Sequence, residues 1–72
     1  MKKTVYFTGQ QQNSTELDRA ITLAVEKRDE FLADLSNNVA KIDSEDIKIV
    51  VLNNSVVNAV IQLTYFPKNN DS

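Results

Sequence analysis

The sequence predicts an α+β fold: a two-layer β-α-β-β sandwich in which a three-stranded, mainly antiparallel sheet carries one long helix on one face. Three observations lead there. Lys3 to Thr8 is rich in β-branched and aromatic residues, the following stretch repeats its apolar residues at helical spacing, and Ile47 to Leu52 and Val56 to Phe66 alternate as strands do. With 72 residues, the chain is long enough for a single small domain, residues 1–72, with a frayed polar tail from Lys68 to Ser72.

In the first strand, Val5 and Phe7 share one face and Thr4, Tyr6 and Thr8 the other, and Gly9 is expected to end it. Gln10 to Asn13 then form a polar connection, after which Ser14 or Thr15 caps the helix. Leu17, Ala20, Ile21, Ala24, Val25, Phe31, Leu32 and Leu35 make one apolar stripe, with Glu16, Arg19, Glu26, Lys27, Asp29, Glu30 and Asp34 on the solvated side. Leu23 sits alone among those polar residues and is a candidate subunit contact. Asn37 and Asn38 signal a stop, yet Val39 and Ile42 continue the stripe. The helix therefore ends near Ser36 or near Ile42, or Val39 to Ile42 is extended.

Ser44, Glu45 and Asp46 read as a turn into a hairpin. A three-residue loop at Asn53, Asn54 and Ser55, with an Asn in the left-handed conformation, puts Ile47, Ile49 and Val51 on one face with Val57, Ala59, Ile61, Leu63 and Tyr65. A two-residue loop would mix apolar with polar. Pro67 ends the last strand, which is expected to be central and antiparallel to both neighbours.

Composition narrows the function. The chain has no Cys, no His and one Met, which leaves oligomerisation as the remaining support for so small a domain. No signal-peptide h-region and no membrane-length apolar run is present, so a soluble cytoplasmic protein is expected. A net charge of −2, with the eight Lys and Arg residues scattered, argues against general nucleic-acid binding. Without His or Cys, and with no nucleophile-elbow, P-loop or dinucleotide pattern around the single Gly, the chain reads as a non-enzyme that calls for no cofactor. Asp43, Ser44, Glu45 and Asp46 lack the spacing of a calcium loop, and no metal site is expected.

Two features point to binding. Arg28 interrupts the apolar stripe near its centre, and a buried guanidinium needs a counter-charge. It meets an anion, or it snorkels at the helix edge, or it pairs with a carboxylate of its own chain. Together with Tyr6, Thr8, Gly9, Gln10, Ser14 and Thr15, which lead to a helix N-terminus, it makes a candidate site for a small anionic, nucleotide-like ligand. Tyr65 and Phe66 are further candidates for stacking on a ring.

The second feature is the sheet face away from the helix. It carries Thr4, Tyr6, Thr8, Lys48, Val50, Leu52, Val56, Asn58, Val60, Gln62, Thr64 and Phe66, with Lys48 the only charge. That composition resembles an interface core. Tyr6, Val50, Leu52, Val56, Val60, Gln62 and Phe66 are therefore the expected contacts of a homo-oligomer.

The opening strand, Gly9 and the helix with Ala20, Ile21 and Ala24 resemble the first half of dodecins, small βαββ proteins that assemble into flavin-storing shells. The likeness covers about a third of the chain and implies a cofactor store. The Trp with which that family stacks on flavin is absent, since the chain contains no Trp. Asp46, Ile47, Lys48 and the apolar finish also resemble small sporulation-labelled proteins of Gram-positive bacteria and their phages. The leading expectation is an oligomeric binder, a phage or mobile-element accessory protein that sequesters an anionic nucleotide-like ligand. The alternative is a protein-interaction module or inhibitor that docks on a host protein through the uncharged sheet face, and a dodecin-like cofactor store comes third.

Overall fold

In the computed structural model, which describes residues 1–52 and 55–68, the order is β1 (Lys3–Gln11), α1 (Leu17–Ala33), β2 (Val39–Leu52) and β3 (Val56–Pro67). The sheet order is β1-β3-β2, and both flanking strands are antiparallel to the central β3. The α+β fold expected from the sequence is the one observed. Polar tail residues 69–72 and the loop residues Asn53 and Asn54 lie outside the described residues. The hairpin register is the three-residue one: Val51 faces Val57, Ile49 faces Ala59 and Ile47 faces Ile61, and the Ser55 amide closes the loop on the Leu52 carbonyl at 3.1 Å.

Gly9 does not end β1. It sits within the strand opposite Ala59, buried beneath α1, and Gln10 and Gln11 extend the pairing to Asn58 and Val57. The reason is a close approach. A Cβ on Gly9 would lie 2.0 Å from the Ala20 carbonyl oxygen and 2.8 Å from the Ala24 nitrogen, so this position must be glycine for the helix backbone to touch the strand. Ala20, Ala24 and Ala59, all fully buried, supply the small side chains around that contact. Leu23, expected to be exposed, is half-buried, its Cβ directed at Gly9.

The helix is capped by a different residue than expected, and of the alternatives for its end the one with Val39 to Ile42 extended is observed. Asn13, rather than Ser14 or Thr15, is the capping residue: its carboxamide oxygen accepts from the Thr15 amide at 3.0 Å and from the Thr15 hydroxyl at 2.9 Å. That bond opens a short 3₁₀ turn, Ser14–Glu16, ahead of α1. Asn is as good a cap as Ser, and sitting one residue earlier it captures the first turn. At the other end α1 stops at Ala33. The Asp34 carboxylate accepts from the Ser36 amide and hydroxyl, starting a second 3₁₀ turn, Leu35–Asn37, which Asn38 closes in the left-handed conformation at φ 54 and ψ 45. Leu35 consequently leaves the stripe and is 79% exposed.

β2 starts at Val39, so Val39 to Ile42 is extended and Ser44, Glu45 and Asp46 are strand residues instead of a turn. They pair with Thr64, Leu63 and Gln62, with register shifts between Val39 and Lys41 and between Ile42 and Ser44. The long β3 offers a ladder of partners, and satisfying those backbone groups outweighs the local turn preference of a polar cluster.

The core lies between α1 and the β1–β3 half of the sheet. Val57, Ala59, Ile61, Leu63 and Tyr65 of β3 are buried, and Phe31 packs between Phe7 (centroids 5.4 Å apart) and Tyr65 (5.7 Å). One helix, about 10 Å across, covers about two strands at their spacing of about 4.8 Å. The third strand is left out. On its helix-side face β2 shows Ile47, Ile49 and Val51 at 41–55% exposure although their partners on β3 are buried.

Candidate functional site

Two adjacent basic residues fasten α1 to the two edge strands. The Lys27 ammonium donates to the Thr8 carbonyl of β1 at 2.6 Å. Arg28 turns the other way: one guanidinium nitrogen donates to the Glu45 carboxylate of β2 at 2.6 Å, while Nη2 and Nε reach Asp29 at 2.7 and 3.1 Å. These two carboxylates raise the Arg28 pKa above its ordinary value, the Glu45 hydrogen bond first and Asp29 second, so it remains a cation throughout the accessible range.

Arg28 is not buried at the centre of the interface. Its side chain is 24% exposed and runs along the helix edge, over a groove of about 270 Å³ between α1 and β2 lined by Val25, Glu45, Asp46, Ile47 and Ile61. Both snorkelling and pairing with the chain's own carboxylates are realised. An anion entering this groove would meet one guanidinium already shared between two carboxylates. Among the described residues, every buried side-chain nitrogen or oxygen has a hydrogen-bond partner.

The other ligand candidates are dispersed. Gly9 is buried under the helix, and the Thr8 carbonyl is taken by Lys27. Tyr6, Thr8 and Gln10 point to the opposite side of the sheet, facing Gln62, Val60 and Asn58. Ser14 and Thr15 stand at the far end of α1 from Arg28, next to Glu16 and Asp18, whose charges already complement the helix N-terminus. A second groove, of about 340 Å³, runs beside the end of β1 between Gln11, Asp18, Arg19, Thr22, Leu23 and Glu26. Tyr65 belongs to the core, and Phe66 lies between the Lys2 and Lys41 ammonium groups, each 5.8 Å from its ring centre.

The outer sheet face is as expected over one half and charged over the other. Tyr6 is 63% exposed, and Val50 and Leu52 are also exposed, while Val56, Val60 and Gln62 are half-buried between the flanking strands. Because β2 reaches back to Val39, Asp46 and Lys41 join Lys48 on this face, and a Lys2–Asp43 ion pair at 3.2 Å crosses it near Phe66. The sequence hides this charged end because Ser44, Glu45 and Asp46 read locally as a turn and Lys41 falls in the segment from Val39 to Ile42, which reads as helix or as a short extended piece. The uncharged half runs from Gln10, Asn58 and Val50 towards the hairpin loop, with Lys48 beside Val60 and Asp46 in the row of Tyr6 and Gln62 at its border.

Among the described residues no cluster of three or more carboxylates, His or Cys could hold a metal ion, and no helix is long and apolar enough to cross a membrane. Comparison with protein-family models, with curated proteins and with solved structures finds no match.

Proposed function

We propose that the protein is a non-catalytic interaction module that docks on another protein through the uncharged half of its outer sheet face. The carrying observation is the surface itself. Val50 and Leu52 are exposed beside the half-buried Val56, Tyr6 is exposed further along the face past Val60, and among the described residues no element lies over them. An apolar, aromatic-bearing patch low in charge has the composition of an interface core. Anion sequestration draws less support, because Arg28 is shared between Glu45 and Asp29 and the loop candidates do not converge on it. A cofactor store has only the β-α-β-β order behind it.

The test compares wild type with Val60→Lys, a substitution on the outer face that leaves the helix-side core untouched. Affinity capture from the native host should retain a specific protein with wild type and lose it with Val60→Lys, and nucleotides should leave the melting temperature unchanged. A nucleotide-dependent rise in melting temperature, without any protein retained, would replace this reading by ligand sequestration.

A further inference from the structure

We infer that the open edge of β2 pairs antiparallel with β2 of a second copy, joining two three-stranded sheets into one six-stranded sheet with Ile47 on the two-fold axis. The pairing edge is the backbone of β2, whose Asp46 and Lys48 side chains border the outer face, and the inference does not depend on what that face binds.

The edge is built to pair. Both register shifts of β2 lie before Ser44, so Ser44 to Leu52 is a regular stretch whose outward backbone groups have no partner strand among the described residues. Long regular edges are ordinarily protected by bulges, charges or a covering element. The charges in this stretch are Glu45, tied to Arg28, and Asp46 and Lys48, while from Ile47 on apolar residues stand on both of its faces: Ile47, Ile49 and Val51 towards the helix side, Val50 and Leu52 towards the outer side.

Charge selects the register. In a two-fold antiparallel pair, side chains match faces only when a residue of β2 lies on the axis, since a one-residue slip sets the two faces against each other. With Lys48 on the axis, two ammonium groups would oppose one another directly. With Ile49 there, Lys48 meets Val50 and Asp46 meets Leu52, and no charge is compensated. With Ile47 there, Asp46 of each copy lies opposite Lys48 of the other, giving two ion pairs on the outer face. Asp46 and Lys48 have no ion-pair partner among the described residues, whereas Arg28, Arg19 and Lys2 all do. The same register sets Ile47 against Ile47 with Ile49 on the diagonals, and it brings Ile49 of the second copy beside the half-exposed Arg28–Glu45 pair.

Sedimentation of the intact chain at micromolar concentration should show a dimer. Lys48→Asp and Asp46→Lys each turn two attractions into two repulsions and should raise the dimer dissociation constant by about tenfold or more. The double swap Asp46→Lys with Lys48→Asp should restore it. Circular dichroism checks that all three stay folded. Because the chain has no Cys, Ile47→Cys should be joined to its copy by a short thiol cross-linker, while Tyr6→Lys on the outer face of β1, two strands away from β2, should leave the dimer intact. A monomeric wild type, a dimer indifferent to the single reversals, a double swap that fails to restore it, an unlinked Ile47→Cys or dissociation by Tyr6→Lys would each overturn the inference.

Discussion

Strands β1 and β2 flank the same central strand in the same direction, yet α1 seals one edge and leaves the other open. Over β1 the helix backbone comes down onto Gly9, Leu23 fills the space beside it, and Lys27 satisfies the Thr8 carbonyl. At β2 the polar tether among the described residues is the Arg28–Glu45 ion pair, and the isoleucines beyond it are about half exposed. Small residues decide the difference. A glycine and three alanines allow the closest helix–strand approach where β1 meets β3, and dispersion and burial both grow with that approach.

The largest effect should come from removing the seal. Gly9→Ala pushes a methyl group into the Ala20 carbonyl and the Ala24 amide, both backbone atoms that move only if the helix lifts. A loss of about 3 kcal/mol is expected from overpacking of this kind. Urea denaturation measures it, and hydrogen exchange should show the β1 edge opening towards the behaviour of β2. Unchanged stability would mean that the close contact does not hold the helix in place.

Cutting the tether on the other side should matter less. Arg28→Ala removes an ion pair whose partners are 24% and 32% exposed, so a loss of about 1 kcal/mol is expected, in the range of exposed pairs. A loss of several kcal/mol would show that the guanidinium stabilises β2 as strongly as Gly9 stabilises β1.

The smallest effect concerns the turn that carries the chain from α1 to β2. The Ser36 hydroxyl, and after it the Ser36 amide, hold the Asp34 carboxyl below the usual carboxylate range. A carboxylate depressed in the folded state stabilises it above the unfolded value of about 3.9 and ceases to do so as the pH falls through the folded value. Ser36→Ala removes the larger cause, so the Asp34 titration midpoint followed by NMR should rise, while the amide bond keeps it from returning fully. An unmoved midpoint would show that the hydroxyl is not what holds Asp34 down.

The hairpin and the helix behind this contrast are legible in the sequence. Alternation in Ile47 to Val51 and Val57 to Tyr65 fixed the hairpin register, and the stripe from Leu17 to Leu32 located the helix. Gly9 was misread as a strand end because its signal is a pairing with Ala20, Ala24 and Ala59, residues distant in sequence. The Ser44–Asp46 cluster was misread for a related reason: its strand state depends on β3, which offers those residues a ladder. The candidate ligand site dispersed because it joined residues by their order along the chain, whereas the strand alternation sends Tyr6, Thr8 and Gln10 to one side and α1 lies on the other.

The sequence by itself determined where the helix and the three strands centre, how the hairpin is aligned and which of the residues from Ile47 to Leu52 and from Val56 to Phe66 face away from the helix. Periodicity is a property of neighbouring residues and persists in these segments, whereas the turn preference of Ser44 to Asp46 yields to the ladder that β3 offers. Only the tertiary structure decided where α1 rests across the sheet, which carboxylates Arg28 meets and how far β2 extends. Those outcomes depend on contacts between remote residues: one helix covers two strands of three, the small residues choose which two, and the third strand is left as an open edge.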